Sequence, residues 1–229
     1  MRCLVTVTGL AGAAILGIAS AASAAPAALD LPGPAAAASQ FTPGEYGYVV
    51  TGAKYTSSTA DWTMPALRCG SQTTYVAIWT GLDGYTSSTI EQIGAEAYCN
   101  GGTAGYFGWY EMYPSAQVDF SNTLRPGDRL TAAVTYASNT FTLTLGDATQ
   151  GWQRTVRQTL AGAARSSAET IVEAPDTLSC TPTQTIANIT GDTVDGTALG
   201  GLNPVKVTGS DPHITVSAVS GKTFSVSCD

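Results

Sequence analysis

The chain has 229 residues, of which 12% are charged, and its 17 acidic residues outnumber its 10 basic residues. The net charge of −7 and an isoelectric point near 4.5 argue against nucleic acid or an anionic membrane as a partner. With so few charges, protonating every carboxylate would break few ion pairs, which favours a protein that keeps its fold in acid. An ordinary acidic exported protein fits this composition equally well.

The N-terminal region differs from the rest of the chain. An apolar run follows Arg2 and gives way to small residues that end at Ala24. This order predicts a secretory signal over residues 1–24, and the run is shorter than the roughly 20 residues that span a bilayer. Residues 25–40 are rich in Ala and Pro and predict a linker or short pro-segment. We therefore expect an exported protein whose domain occupies residues 41–229.

From residue 46 onward, apolar and polar residues alternate between turn-forming residues, and no stretch shows a helical stripe longer than two turns. The predicted strands are residues 46–54, 58–64, 74–82, 89–98, 106–113, 117–121, 129–136, 140–145, 152–158, 168–174, 185–189, 205–208, 214–219 and 223–227. Ser138-Asn139 and residues 220–222 have the composition of hairpin turns. Many short strands without a repeat indicate a single all-β sandwich domain.

Four cysteines remain once the signal, with Cys3, is removed. An even number in an exported chain indicates two disulfides, for which three pairings are possible. We expect the sequence-neighbour pairing, Cys69 with Cys99 and Cys180 with Cys228. No two cysteines lie two to four residues apart, as structural zinc sites require, so no metal or other cofactor is expected.

The chemistry available to this chain is restricted. Its only histidine, His213, lies beside Pro212 near the last predicted hairpin, and a lone loop histidine is usually solvated surface. The chain contains no HExxH, no GxSxG and no pair of Asp-Thr/Ser-Gly triplets. Any catalysis should therefore use carboxylates, amides and water.

Because side chains alternate between the two faces of a strand, the sequence predicts which polar residues share a face on two of the predicted strands. In TIEQIGAEAYC, Gln92 and Glu96 share one face while Glu91 points to the other. In SSAETIVEAP, Glu169 lies opposite the small apolar set that begins with Ala168. Gln92 is thus held away from Glu91, and Glu169 should face outward or into a cleft.

Aromatic residues accompany these polar groups. In YVAIWTGLDG, Trp79 and Asp83 share a face, and in YFGWYEMYP, Trp109 and Glu111 share a face opposite Tyr110. Aromatics beside carboxylates on a sheet face suggest an extended binding groove. For any single residue, ordinary sandwich core or surface explains the pattern equally well.

Four motifs occur in the order seen in the glutamic peptidases, or eqolisins: YVAIWTGLDG from Tyr75, IEQIG from Ile90, WYEMYP from Trp109 and SAETIVE from Ser167. The chain resembles this family of acid endopeptidases from about Tyr48 to its C-terminus. The resemblance implies two curved antiparallel sheets with the active site on the concave face.

The resemblance also implies roles for individual residues. The family's catalytic glutamine falls on Gln92, its catalytic glutamate on Glu169, and its cleft tryptophan and aspartate on Trp79 and Asp83. Two departures concern substrate preference. Gly44-Glu45 replaces the usual Asn-Trp pair, and Thr170 replaces a tryptophan, which removes two aromatics near the cleft as the resemblance places it.

These assignments give a hypothesis for peptide hydrolysis. Glu169 would act as base and then acid if its pKa stays near the ordinary value of about 4.3. Gln92 would donate its amide N–H to the oxyanion. Residues expected to orient the pair or to bind substrate are Trp79, Asp83, Glu96, Trp109, Tyr110 and Glu111. The expected partners are protein or peptide substrates, with the enzyme a monomer.

Two other functions fit the residues. A glycoside hydrolase needs two carboxyl groups about 5 to 9.5 Å apart, and Glu111 with Glu169 could serve. A lectin-like binding module without catalysis is the other alternative, because a fold does not fix function.

Overall fold

The computed structural model describes residues 43–175, 178, 180 and 183–229. The predicted signal over residues 1–24 and the Ala/Pro-rich segment over residues 25–40 lie outside the described residues. Within the described part of the chain, no helix is long and apolar enough to cross a membrane.

Fifteen strands and one short 3₁₀ segment make up the described secondary structure. The strands are β1 (Glu45–Thr51), β2 (Ser57–Thr63), β3 (Thr74–Asp83), β4 (Ile90–Asn100), β5 (Thr103–Tyr113), β6 (Val118–Asp119), β7 (Arg129–Ala137), β8 (Thr140–Asp147), β9 (Trp152–Gln158), β10 (Ser167–Glu173), β11 (Thr185–Val194), β12 (Thr197–Ala198), β13 (Val205–Val207), β14 (Ile214–Val216) and β15 (Phe224–Cys228). The 3₁₀ segment is Leu199–Gly201. Each predicted strand has an observed counterpart.

The strands form two antiparallel sheets, which confirms the predicted all-β sandwich. The seven-stranded sheet has the order β13-β1-β10-β3-β4-β5-β6. The eight-stranded sheet has the order β14-β15-β11-β2-β7-β8-β9, and its eighth strand, β12, pairs with the end of β11. Strands β10, β3 and β4, which carry most of the candidate residues, are neighbours at the centre of the seven-stranded sheet.

The main core fills the space between the two sheets. Alternate residues along a strand enter this core, as β8 shows with Phe141, Leu143 and Leu145 buried and the residues between them partly exposed. Strands β3, β4 and β10 differ because they are buried on both faces. A second, smaller apolar cluster covers the face of the seven-stranded sheet that points away from the other sheet, and it includes Trp79 and Trp109.

The sequence-based boundaries differ from the observed ones at several strands, and the largest difference, at β11, has a clear physical reason. We predicted that β11 ends at residue 189, but it continues to Val194 through a bulge where the register with β2 shifts. Gly191 lies in this bulge with φ of +66°, and a Cβ there would come within 2.1 Å of Asp61 Oδ2. Because the bulge turns the chain, the next residue, Asp192, points into the protein and is fully buried.

Two local predictions are confirmed. Ser138 and Asn139 have φ of +49° and +60° between β7 and β8, as a two-residue hairpin turn of type I′ requires. The disulfides pair Cys69 with Cys99 and Cys180 with Cys228.

Candidate active site

Glu169, Gly81, Gln92 and Glu111 form one row across four adjacent strands. Glu169 on β10 is paired with Gly81 on β3, Gly81 with Gln92 on β4, and Gln92 with Glu111 on β5. Paired residues on neighbouring strands point to the same face, so the three polar side chains share the outer face of the seven-stranded sheet. The alternation within each strand predicted which face each side chain occupies, and the register between strands aligns these side chains in one row.

Gly81 leaves room between the two residues to which the resemblance assigns catalysis. A Cβ at this position would lie 3.2 Å from Gln92 Cβ and 3.3 Å from Glu169 Oε1. Because no side chain occupies this position, Glu169 and Gln92 can converge on the same small space even though their strands are separated by β3.

Glu111 holds the amide of Gln92. Gln92 Nε2 donates a hydrogen bond of 2.5 Å to Glu111 Oε2, and both side chains are buried. A primary amide has two N–H groups, so the second one is left for another acceptor. Gln92 Oε1 has no hydrogen-bond partner among the described residues. Burial raises the pKa of Glu111 to about 7, although the bond from Gln92 opposes the shift.

Glu169 is only 1% exposed, and neither of its carboxyl oxygens has a hydrogen-bond partner among the described residues. Burial, followed by the charges of Asp83 and Glu91, raises the pKa of Glu169 well above its ordinary value. The Ser167 hydroxyl opposes the shift but does not complete a hydrogen bond. The condition that the pKa of Glu169 stays near its ordinary value is therefore not met in the free protein, because removal from water penalises the charged form.

Trp79 and Trp109 form the wall beside this row. They flank Gly94 in the next outward-facing row, two residues along each strand, and both are almost completely buried. A Cβ on Gly94 would come within 2.6 Å of Trp79 Cβ, so only glycine lets the indole pack here. The two indole N–H groups have no partner among the described residues.

Glu96 lies beyond this wall. It belongs to a third outward-facing row in which Glu173 on β10 and Glu96 on β4 flank Ala77 on β3. Burial first, and then the charge of Glu173, raises the pKa of Glu96 to about 8. Tyr75 donates a 2.6 Å hydrogen bond to Glu173 Oε1. Four residues along a strand span about 13 Å, so Glu96 does not reach the space beside Gly81.

Asp83 does not follow the alternation that aligned it with Trp79. Its φ of +68° turns the residue, and its carboxylate accepts hydrogen bonds from the backbone N–H groups of Arg165 (2.6 Å) and Ser166 (2.8 Å). It makes no hydrogen bond to Gln92 or Glu169 among those the structure describes. Asp83 thus holds the chain at the start of β10, and it influences Glu169 through its charge.

Tyr110 and Thr170 lie on the other face of the sheet. Tyr110 stacks on Phe120 at a centroid distance of 5.8 Å and packs against the main core, so it does not join the row of Gln92. The Thr170 hydroxyl donates a 3.2 Å hydrogen bond to Thr80 Oγ1 in the interior. The expectation that Thr170 removes an aromatic from the cleft is therefore wrong. Glu45 does lie on the outer face, paired with Glu173.

Sequence reasoning gave no role to two residues at the site. Gly81 appeared in a recognised motif, but its function as a gap depends on the register of β10, β3 and β4. Glu91 was noted only for pointing away from Gln92, yet it is fully buried close to Asp83. The sequence did contain a signal for Glu91, because it is the one charged residue on a strand face that otherwise carries Ile93, Ala95 and Ala97. Among the described residues, no cluster of three or more His, Cys, Asp or Glu could hold a metal ion.

Comparisons with known proteins match this chain to a peptidase family. A family model described as the Peptidase A4 family matches residues 44–228. Aspergillopepsin-2 of Aspergillus niger is 32% identical over 109 residues, which cover 38% of this chain and only 39% of that protein.

Two solved structures extend the likeness. Scytalido-glutamic peptidase with a transition state analog inhibitor is 25% identical with a TM-score of 0.69, over 82% of this chain and 98% of that one. Aspergilloglutamic peptidase from Aspergillus niger is 25% identical with a TM-score of 0.50, over 68% of this chain and 99% of that one.

Proposed function

The chain belongs to the Peptidase A4 family, the glutamic peptidases or eqolisins, and we propose that it is an exported endopeptidase that hydrolyses peptide bonds with Glu169 and Gln92. The observation that supports the proposal most strongly is the convergence of these two side chains on the gap above Gly81. Among the described residues, one is a carboxyl without a hydrogen-bond partner and the other is an amide with one N–H unused.

The reaction begins with water held between Glu169 and the substrate carbonyl. Glu169, as carboxylate, takes a proton from this water while the water oxygen attacks the carbonyl carbon. The carbonyl oxygen becomes an oxyanion, and the free N–H of Gln92 donates a hydrogen bond to it. Gln92 Oε1, which has no partner among the described residues, accepts a hydrogen bond from the same water before attack.

Collapse of the tetrahedral intermediate completes the reaction. Glu169, now a carboxylic acid, gives its proton to the amide nitrogen as the C–N bond breaks, and the products are a carboxylic acid and an amine. Glu111 keeps the Gln92 amide in position throughout through the bond to Nε2. An amide suits this position because a second carboxylate would repel the developing negative charge.

The raised pKa of Glu169 determines when the base form exists. In the free enzyme, burial favours the neutral acid. Water and substrate N–H groups bound beside the carboxylate would supply the hydrogen-bond donors that it lacks, and such donors lower the pKa of a carboxyl group. The proposed enzyme therefore forms its base most readily with substrate bound.

We also propose that residues 1–24 direct export and that residues 25–40 are a pro-segment or linker ahead of the catalytic domain. N-terminal sequencing of the exported protein tests both boundaries. A mature chain that begins at residue 25 would leave the pro-segment attached, whereas one that begins near residue 41 would show its removal.

The experiment that tests the function is digestion of casein across a pH series, with the cleavage sites mapped by mass spectrometry. The proposal expects internal peptide-bond cleavage that does not require added metal. Hydrolysis of a polysaccharide such as xylan without any peptide cleavage would contradict it, and so would glycan binding without hydrolysis of either polymer.

A further inference from the structure

Glu91 is a buried carboxyl group that the mechanism above does not use. It lies on β4 next to Gln92 but faces the opposite side of the sheet, in a row between Leu82 on β3 and Met112 on β5. Its side chain is 0% exposed, and neither carboxyl oxygen accepts a hydrogen bond within the described structure. An ionised carboxylate in such a place is costly unless another group compensates it.

Four polar groups interact with Glu91 through hydrogen bonds or charge, one of them, Glu169, from the opposite face of the sheet. Asp83 comes from the end of β3, the Thr89 hydroxyl from the start of β4, Arg165 from the segment before β10, and Glu169 from β10 itself. Burial first, and then the charge of Asp83, raises the pKa of Glu91 to about 8, while Thr89 and Arg165 oppose the shift. In acid and at neutral pH, Glu91 therefore carries a proton that it can donate.

Asp83 is the charged group with the largest influence on Glu91, and its Oδ2 accepts a 3.4 Å hydrogen bond from the hydroxyl of Thr89, two residues before Glu91. Its two oxygens already accept three hydrogen bonds from the segment before β10, which are Arg165 N–H to Oδ2 (2.6 Å), Ser166 N–H to Oδ1 (2.8 Å) and Ser166 Oγ–H to Oδ1 (3.2 Å). A protonated Glu91 completes the set, whereas an ionised Glu91 would repel Asp83.

The segment held by Asp83 leads directly to the proposed base. Ser166 precedes Ser167, the first residue of β10, and Glu169 follows two residues later. Arg165 is in the left-handed region with φ of +54°, a conformation that a non-glycine residue keeps only when its surroundings hold it. Its guanidinium donates to the Tyr55 carbonyl oxygen (3.2 Å), but its backbone N–H depends on Asp83.

We propose that Glu91 is a positioning residue for Glu169: its protonated carboxyl donates a hydrogen bond to Asp83, which lets Asp83 fix the Arg165–Ser166 backbone at the start of β10. This inference rests on the proposed function for its catalytic consequence, but its structural part can be measured without any substrate. Ionisation of Glu91 loosens the segment, and with it the placement of Glu169.

The test uses two variants of the full exported protein. Glu91→Gln keeps a hydrogen-bond donor of the same shape but cannot ionise, and Glu91→Leu removes the donor. Hydrogen exchange of the Arg165 and Ser166 amides is measured from about pH 5 to about pH 9, a range that spans the raised pKa, and is expressed as protection relative to the intrinsic exchange rate. Amides of β8, on the other sheet, serve as the internal reference.

In the wild type, protection of the two amides relative to the β8 reference should fall by about tenfold or more as Glu91 ionises. Glu91→Gln should keep its protection across the range, and Glu91→Leu should have low protection already at the acidic end. A Glu91→Gln variant that loses protection as the wild type does would overturn the proposal. So would wild-type protection in Glu91→Leu. If Glu91→Leu does not fold, the glutamine variant decides alone.

The catalytic consequence has a separate readout. At acidic pH, Glu91→Leu should lower kcat by about tenfold with little change in KM, because substrate binding groups are untouched while the base is misplaced. Glu91→Gln should retain kcat. Loss of protection at Arg165 and Ser166 in a protein that cleaves no peptide would support the positioning role and count against the proposed function, so the two failures are distinguishable.

Discussion

Glu169 and Gln92 lie on either side of Gly81, on strands that are not neighbours, and the space between their side chains is the space that a Cβ at residue 81 would fill. The two groups are 77 positions apart in the chain. Their convergence depends on the order β10-β3-β4 and on the absence of a side chain in the middle strand.

The Gly81→Ala variant tests this gap. The added methyl would lie 3.1 to 3.3 Å from Glu91 O, Gln92 Cβ and Glu169 Oε1, so its neighbours must move by a few tenths of an ångström. We expect a folded protein destabilised by about 1 to 3 kcal/mol. Its kcat should fall about 100-fold because the methyl occupies the place of the substrate carbonyl and the water.

Gly146→Ala is the matched control for this substitution. Gly146 lies on β8 in the other sheet, and the atoms nearest to a Cβ there are 3.9 Å away. This variant should retain wild-type peptide hydrolysis. Equal activity in both alanine variants would show that the gap at residue 81 is not the site of reaction.

Glu111 should control kcat through Gln92. In Glu111→Ala the amide of Gln92 loses its 2.5 Å hydrogen bond, and kcat should fall by about tenfold or more while KM changes little. Glu111→Gln can still accept this bond through its side-chain oxygen and should retain more activity than the alanine variant. Steady-state kinetics on one peptide substrate measures both. If the two variants lose the same activity, the charge of Glu111 matters rather than its bond.

The stability of the fold should fall as pH rises. The pKa is raised to about 8 for Glu91 and Glu96 and to about 7 for Glu111 and Asp192, in each case mainly by burial. Between the unfolded values, near 4.5 for the glutamates and 3.8 for Asp192, and these folded values, the native state holds protons that the unfolded chain has released. Stability is therefore highest below about pH 4.5 and falls until about pH 8. Thermal unfolding across this range measures the trend.

The pKa of Asp192 is raised and the pKa of Asp195 is lowered, so the two residues should affect the pH dependence of stability in opposite directions. Asp192 is fully buried, and Asp192→Asn should reduce the loss of Tm between about pH 4 and about pH 8. For Asp195, burial raises the pKa, but hydrogen bonds from Thr56 and Ser57 lower it overall. Asp195→Asn should therefore lower Tm most at neutral pH and least in strong acid. Identical pH profiles for the two variants would contradict these assignments.

The pH–rate profile follows from Glu169. Because catalysis begins with its carboxylate, activity should rise as pH increases through its pKa. The acidic limb of kcat/KM reports the free enzyme, and its midpoint should lie above the ordinary glutamate value of about 4.5. The limb of kcat reports the substrate complex and should lie lower, since bound water and substrate supply donors. If the acidic limbs of kcat/KM and of kcat coincide near pH 3, burial does not control the pKa of Glu169.

The sequence predicted the strands and the faces of the site well because both depend on local alternation. Glu169 opposite Ala168, and Gln92 opposite Glu91, follow from the period of two that a strand imposes. Asp83 departs from this alternation because its positive φ turns the last residue of β3. The only sign of that turn in the neighbouring sequence is the glycine that follows, Gly84.

Contacts between strands could not be predicted in the same way. The bond from Gln92 to Glu111 and the gap at Gly81 depend on the register of four strands, which alternation alone does not fix. The raised pKa of Glu169 depends on how completely the site is enclosed, a property of the assembled sheet. The family resemblance selected the two catalytic candidates but gave no reason for the glycine between them.

The most direct test of the proposed mechanism compares the same substitution at two positions of β10. Glu169 and Glu173 are on the same strand and the same face of the sheet, and both are buried. Each is changed to glutamine, and kcat for a peptide substrate is measured with folding verified by thermal unfolding. Glu169→Gln should lower kcat by about 100- to 10,000-fold, because the glutamine amide cannot accept the proton of water, whereas Glu173→Gln should stay within a few-fold of wild type. Wild-type turnover by Glu169→Gln, or an equal loss in both variants, would contradict the assignment of Glu169 as the base.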